Sequence, residues 1–477
     1  MPGGWSRLGP LRREEAGRLL RGRRPHGRRR PGPSGREMVQ GEPQADGVLA
    51  DVAGARGLPV GPQDGRGAPV KPRVLLLTPF PPFPPDNGGV LRIYSIVRRL
   101  KEHCDFSLLT FVRRTGERRF QQHASAMALR SLFSEVHSVP KESTDSSHPP
   151  PGLPQIAREW YSDEMAVLLR RLAAEGRMDI VHIEFLQMAS YVDAAGGVPT
   201  FLTEHDLSHL SLFRSYFREW TGLRRWGQVG EWLRTRRYHG AICRRFDRLI
   251  ALTPEDRGRL AQVVPPEKVS LVQTCVDLER FQFRPEEEGT PRPADMAYVG
   301  HYPHYPNEDA ALWLCRKVLP RVRARAPAAS VLLIGSAPTE PVLRLAGPGV
   351  EVTGTVPDIR AHLDRAKVFA APVRLGFGIK GKVLEAFARG LPVVATTVVA
   401  RGIPEFRPGM DLLVGDTPAA FARQVLRLLE DPGLRRRMAA SAREKVVRHY
   451  DWRGSCDKLL ALYRVAAGTR VPEASPQ

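Results

Sequence analysis

The chain has 477 residues, enough for two cores, and its 42% hydrophobic content fits a folded protein in water. No run of 18 or more apolar residues occurs, so no transmembrane helix is expected. The formal charge of +21 is uneven: residues 1–36 hold eleven arginines against two glutamates, so much of the excess sits in one tail and specific nucleic-acid binding is not expected of the body.

Residues 1–71 are rich in Arg, Gly and Pro without sustained periodicity and are expected to be disordered. No apolar stretch follows Arg12-Arg13, so a secretory signal is not expected. Two readings stay open for the extension. It is a basic anchor to anionic lipid or nucleic acid, or a non-functional addition upstream of a start at Met38 or later. Five scattered cysteines (Cys104, Cys243, Cys275, Cys315, Cys456) without CxxC spacing point to reduced, buried thiols and away from a disulfide framework or a cysteine-type zinc site.

Order is expected from Arg73. Strands are predicted over 73–78, 106–111 and 136–139, with an amphipathic helix over 90–100 after the proline run and Gly88-Gly89. That glycine pair, between strand and helix, would let a substrate approach backbone N–H groups. A Ser/Pro loop (143–153) precedes a helix over 163–174. Strands over 179–183 and 200–203 end in Glu184 and in Glu204-His205-Asp206, and strand ends of open parallel sheets are where ligands collect. His205 there can bond a sugar hydroxyl or phosphate, or shuttle a proton. His205 and His209 stand at HxxxH spacing, but without the HExxH glutamate no metal site is assigned. Glu204 and Asp206 are expected to act as caps.

From Phe213 to Arg248 ten arginines face three acids, interleaved with aromatic residues. Basic amphipathic helices with tryptophans suit a headgroup surface; single-stranded nucleic acid and plain solvated arginines are the alternatives. Arg248 opens a strand followed by a capped helix, and a strand over 269–273 closes the first domain. The acidic, proline-rich 285–293 is the expected domain linker. Strand–glycine–helix units then recur: 296–300 with a helix from Asn307 to Leu319, 330–335, 350–354, and a helix ending at Ala366. A strand over 368–373 leads into Leu375-Gly-Phe-Gly-Ile-Lys-Gly-Lys382, a helix over 383–389 closed by Gly390, and a strand over 391–395. A glycine loop at that place favours anions, and a nearby lysine adds charge for a diphosphate. Glu385, one turn on, can accept from vicinal sugar hydroxyls.

The ordered set Gly378, Ile379, Lys382, Val383, Leu384, Glu385, Ala386, Ala388, Gly390, Pro392, Val393 and Val394 resembles the donor-binding signature of glycosyltransferase family 4, in its G-I-x-x-K-V-L-E-A form. Gly300, Pro306, Asn307, Asp309 and Ala310 match a second family segment, and Gly88-Gly89 its first loop. The resemblance covers about 73–464. It implies an α/β protein of GT-B architecture, two Rossmann-like domains with parallel sheets facing a cleft. The acceptor domain would span 72–284 and the nucleotide-sugar donor domain 294–450. A helix over 451–466 would return to the first domain before a disordered tail (467–477).

The family further implies a retaining transferase with no metal and no cofactor, the nucleotide-sugar being substrate; the sequence has no D-x-D motif. By resemblance Lys382 and His205 are catalytic. Gly88, Gly89, Gly300, Asn307, Arg374, Gly376, Gly378, Lys380, Lys382 and Glu385 bind donor. His301 and His304 stand where the family more often has a positive residue, and Phe377 where many members place the first of two glutamates. Expected partners are a nucleotide-sugar, a glycan or lipid-linked acceptor and an anionic membrane surface, in a cytoplasmic protein peripheral at the inner face. Cell-envelope polysaccharide or lipid-linked glycan synthesis is the expected setting. A GT-B-fold nucleotide-sugar epimerase and a non-enzymatic polyanion-binding protein remain as alternatives.

Overall fold

The computed structural model describes residues 70–85, 88–112, 126–205, 224–287, 291–376 and 378–468. All fall within one compact unit, Asp46–Gln477. Nearly all of the expected disordered extension and tail, together with Asp206, His209 and Phe377, lies outside these residues.

Seven short strands, most of them apolar, form the first sheet: β1 (Arg73–Thr78), β2 (Asp105–Val112), β3 (Glu135–Pro140), β4 (Ile180–Glu184), β5 (Thr200–Glu204), β6 (Arg248–Ala251) and β7 (Val269–Leu271). Their order is β3-β2-β1-β4-β5-β6-β7, every neighbour parallel. Runs such as Val74 to Thr78 are buried throughout because crossover helices cover both faces. Among the longer helices are α1 (Gly88–Leu100), α2 (Asp163–Ala174), α3 (Arg224–Cys243) and α4 (Pro254–Leu260). Ser162 and Thr253 cap α2 and α4, their hydroxyls accepting from the Met165 and Asp256 amides.

The second sheet repeats the plan with β8 (Ala294–Val299), β9 (Val331–Ile334), β10 (Val350–Val352), β11 (Ala366–Ala371), β12 (Val393–Ala395) and β13 (Leu413–Val414), in the order β10-β9-β8-β11-β12-β13 and again all parallel. Its main helices are α5 (Tyr305–Trp313), α6 (Gly381–Arg389), α7 (Pro418–Glu430) and α8 (Pro432–His449). The helix expected to reach Ala366 stops at Leu363, since Ala366 already opens β11. Winding reverses between β1 and β4 and between β8 and β11, which opens a crevice at the carboxyl end of each sheet.

The chain crosses between cores earlier than the composition of 285–293 indicates. Cys275 belongs to the first core, but Val276 and Phe281 belong to the second. The acidic stretch is held down: Glu286 Oε2 accepts from Arg435 Nε at 2.6 Å, so its charge serves an ion pair. The return follows the expected turn at Asp451. Tyr450 packs in the second core and Trp452 in the first, opening α9 (Trp452–Ala466). The two crossings are bonded to each other, Val276 N donating to Tyr450 O at 3.0 Å. Among the described residues no helix is long and apolar enough to cross a membrane.

Candidate functional site

The second sheet assembles most of the expected donor residues at its carboxyl end. β8 carries Tyr298 and stops at Gly300, and the turn after β9 passes so close that a Cβ on Gly335 would stand 1.8 Å from the Gly300 carbonyl oxygen. Gly335 has φ +143°, so glycine is required there twice over. After β11 the chain turns through Gly376 (φ +91°) and Gly378 (φ +71°) into α6, which Gly390 closes in the left-handed conformation. Lys380 occupies the N-cap position of α6, Lys382 its first turn, and Glu385 lies three residues on along the same face.

Lys382 Nζ donates to Asn307 Oδ1 at 2.6 Å and to the Tyr298 hydroxyl at 3.2 Å, and sits 4.6 Å from the Tyr298 ring centroid. Asn307 also accepts from Tyr298 at 3.0 Å and donates from Nδ2 to the His301 carbonyl at 2.9 Å, so its orientation is fixed. Burial, helped by the charge of Lys380 and opposed by Glu385, pushes the Lys382 ammonium down to about 7. The Asn307 and Tyr298 contacts act the other way, since both favour the charged form. Burial likewise pushes the Glu385 carboxyl up to about 7, against the charges of Arg280 and Lys382. A lysine poised near neutrality beside helix N–H groups can take up a proton and offset the negative charge of an arriving diphosphate.

Arg374, expected to bind donor, lies just before the Gly376 turn. Its guanidinium pairs with Asp309 (Nη2–Oδ1 2.5 Å, Nε–Oδ2 3.1 Å) and lies 5.5 Å over Trp313, bracing the glycine loop against α5.

The first sheet assembles a second cluster. His205 Nε2 lies 2.5 Å from Glu184 Oε2, and its ring stacks on Phe185 at 3.8 Å. Gly88 and Gly89 do not precede α1 as loop residues; they form its first turn, where both have ordinary negative φ. A Cβ on Gly89 would meet Phe185 Cζ at 2.7 Å and His205 Nδ1 at 3.5 Å. The α1 N-terminus and His205 therefore share one spot, with Nδ1 turned toward Gly89. Burial alone would raise the Glu184 carboxyl; the His205 hydrogen bond and the charges of His205, His182 and Arg92 outweigh it and hold it at about 2. Arg92, fully buried, keeps Nη1 3.8 Å from Glu184 and donates from Nη2 to the Val272 carbonyl at 3.1 Å. Behind Glu184, His182 bonds Thr203 at 2.7 Å and the hydroxyl of Tyr463 on α9 at 2.5 Å.

Among the described residues Glu204 caps no helix. It ends β5, is 2% exposed, and faces His239 on α3, because strand alternation aims it away from the crevice. Tyr298, Arg92 and Arg280 escaped the sequence reading. A polar tip in an apolar strand marks Tyr298, and an arginine on the buried stripe of Val90, Ile93, Ile96, Val97 and Leu100 marks Arg92; nothing local marks Arg280. A cavity of about 240 Å³ lies elsewhere, at the amino ends of β1–β3, lined by Arg73, Asp105, Ser107, Glu135, His137 and Arg177. Parallel sheets offer no glycine loops at that end, and the two polar clusters are not there.

Comparison with known proteins agrees with this geometry. A model described as glycosyl transferases group 1 matches residues 293–431, and one described as glycosyltransferase family 4 matches residues 86–280. The chain is 29% identical over 259 residues to a D-inositol 3-phosphate glycosyltransferase of Salinispora arenicola, covering 48% of this chain and 57% of that one. It is 29% identical over 206 residues to a phosphatidyl-myo-inositol mannosyltransferase of Mycobacterium tuberculosis, covering 41% and 53%. The chain thus spans little more than half the length of these relatives. Among solved structures, sucrose-phosphate synthase from Thermosynechococcus elongatus superposes with TM-score 0.60 at 15% identity, over 83% of this chain and 98% of that one. Anabaena HepE in complex with UDP and glucose does so with TM-score 0.55 at 14% identity, over 81% and 98%. These similarities establish the GT-B architecture.

Proposed function

The chain belongs to the group 1, or family 4, glycosyltransferases, and from that premise we propose that it moves a sugar from a nucleoside-diphosphate sugar to a hydroxyl acceptor. The observation that carries the reading is Lys382, held by Asn307 and Tyr298 in the first turn of α6 behind the Gly376–Gly378 turn. In the transfer, the bond from sugar C1 to the β-phosphate oxygen breaks and its electron pair leaves on the diphosphate. Lys382, Lys380 and the α6 amides stabilise that charge. The acceptor oxygen bonds C1, and its proton passes to the leaving diphosphate or to His205, whose Nδ1 faces the α1 N-terminus. Glu385 takes the ribose hydroxyls. We propose retention of configuration by analogy with the family. With this positive charge supplied by the protein, the reading includes no metal and no cofactor for the transfer.

The acceptor is proposed to be a lipid-linked or cell-envelope glycan. A relative acting on phosphatidyl-myo-inositol supports this. So does α3, which exposes Leu233 beside Arg234, Arg236 and Arg237. The proposed location is the cytoplasm, peripheral at the inner face of the membrane. HepE, solved with UDP and glucose, supports a nucleotide-sugar donor.

The test is release of nucleoside diphosphate from a panel of UDP-, GDP- and ADP-sugars, with and without an anionic glycolipid extract. Release from one nucleotide family, quickened by the extract and reduced at least roughly a hundredfold in Lys382→Ala, is expected. A folded wild-type protein that turns over no donor under any of these conditions contradicts the proposal.

A further inference from the structure

On the face of β5 turned away from His205, three metal-binding side chains converge that the transfer does not use. Glu204 closes β5, and His239 and Cys243 stand four residues apart on α3, one helical turn, so both project toward that strand end. All three are buried: Glu204 is 2% exposed, His239 3% and Cys243 0%. One carboxylate oxygen, one imidazole nitrogen and the thiol sulfur lie within 4.8 Å of one another. His239 Nε2 is 3.5 Å from Glu204 Oε2. That separation is close to what two ligands of a tetrahedral zinc need, with metal–ligand bonds of about 2.0–2.3 Å.

The second observation concerns Glu204 itself. Among the described residues neither of its carboxylate oxygens receives a hydrogen bond of good geometry. Its ion pair with His239 is long at 3.5 Å, and a buried carboxylate with no closer donor calls for a further partner. The cysteines lack CxxC spacing, but His-x-x-x-Cys on a helix also places a nitrogen and a sulfur on one face, as HxxxH does.

We propose that Glu204, His239 and Cys243 form a structural zinc site. Carboxylate and thiolate neutralise the dication, and neutral imidazole completes the protein's donor set; thiolate with imidazole selects zinc over the oxygen-seeking divalent ions. Binding releases the Cys243 thiol proton, and any proton on His239, to solvent. The ion pins α3 to the end of β5, next to His205 in sequence, and has no part in the transfer reaction.

The test uses the full chain purified without a nickel step and dialysed after equilibration with zinc chloride. Mass-spectrometric metal analysis is expected to find about one zinc per chain, falling below about a tenth in Cys243→Ser and His239→Ala. Cobalt(II) in place of zinc is expected to give a near-ultraviolet thiolate-to-cobalt band in wild type that Cys243→Ser lacks. The wild-type spectrum decides the matter even where a variant does not fold. Folded wild type that retains no zinc overturns the proposal. Zinc retained undiminished by Cys243→Ser, with no thiolate band in the wild-type cobalt protein, overturns it too.

Discussion

Lys382 Nζ rests 2.6 Å from Asn307 Oδ1, joining the first turn of α6 to the first turn of α5 across the switch point between β8 and β11. The contact makes Asn307 a positioning residue for the charge proposed to meet the diphosphate. Asn307→Ala should weaken nucleoside-diphosphate binding roughly tenfold, the scale of one charge-assisted hydrogen bond, with kcat changed less than KM. Calorimetric titration of wild type and variant checks this; an unchanged Kd contradicts the positioning role.

The pair Lys382 and Glu385 should report itself through protons. Lys382 is held at about 7 in the free protein, so a diphosphate that favours the ammonium form should draw in a proton near pH 7.5. Calorimetry in buffers of different ionisation heat reads the uptake, and Lys382→Met should abolish it. The stability signs follow from the same shifts. Lys382 is lowered on folding, so its cost is full below about 7 and vanishes as pH rises toward the unfolded value of 10.5. Glu385 is raised, so its cost is absent below the ordinary 4.5 and grows as pH rises to about 7. Lys382→Met should therefore raise the melting temperature of the ligand-free protein at pH 7, and do so less at pH 10.

Glu184 and Arg92 should couple. Removing either leaves the other charge buried, so Glu184→Gln and Arg92→Met should each cost about 3 kcal/mol of stability. Their combination should cost clearly less than the sum. Glu184, held at about 2, contributes stability that is present above the unfolded value of 4.5 and lost as pH falls through 2. Denaturant titration of the four proteins at pH 7 checks the cycle, and simple additivity contradicts it.

Two glycines should separate packing from site geometry. Gly335→Ala meets the Gly300 carbonyl and a positive φ together, and should destabilise the fold by more than about 2 kcal/mol. Gly89→Ala meets the ring edge of Phe185, which can shift, and touches His205 Nδ1 at ordinary contact distance, so it should cost little stability while disturbing the stacked His205 and lowering transfer. Thermal melts and initial rates on both variants distinguish the two effects.

Contact with a membrane should follow charge. The full chain should sediment with vesicles containing anionic phospholipid and less with neutral ones. Replacing exposed Arg236 and Arg237 by glutamate should weaken sedimentation severalfold. Equal binding to both vesicle types would remove the anionic-surface reading.

What could be read from the sequence was what is local along it. The glycine loop, α6 and its Gly390 closure depend on spacing within one βαβ unit, and Gly376, Gly378, Lys382 and Glu385 fall where their pattern places them. Both sheets followed from apolar runs of strand length, because parallel strands are buried on two faces. Pairings across long separations were out of reach. Arg374 meets Asp309 from 65 residues away, and Tyr463 reaches His182 across 281. Arg280 bears on Glu385 only because the chain crosses to the second core at Val276. Composition misplaced that crossing, since an acidic proline-rich stretch looks unattached until Arg435 is found holding Glu286. Glu204 looked like a cap because nothing in its neighbourhood announces His239 or Cys243.

The central claim is a nucleoside-diphosphate site built around Lys382. The most direct measurement is a thermal-shift panel of UDP, GDP and ADP on wild type, Lys382→Ala and Glu385→Ala. One nucleotide at a hundredfold excess over its Kd should stabilise wild type by about 2.7 kcal/mol and leave both variants unmoved. A folded wild-type protein that none of the three stabilises, or a Lys382→Ala variant that responds as wild type does, would contradict the account.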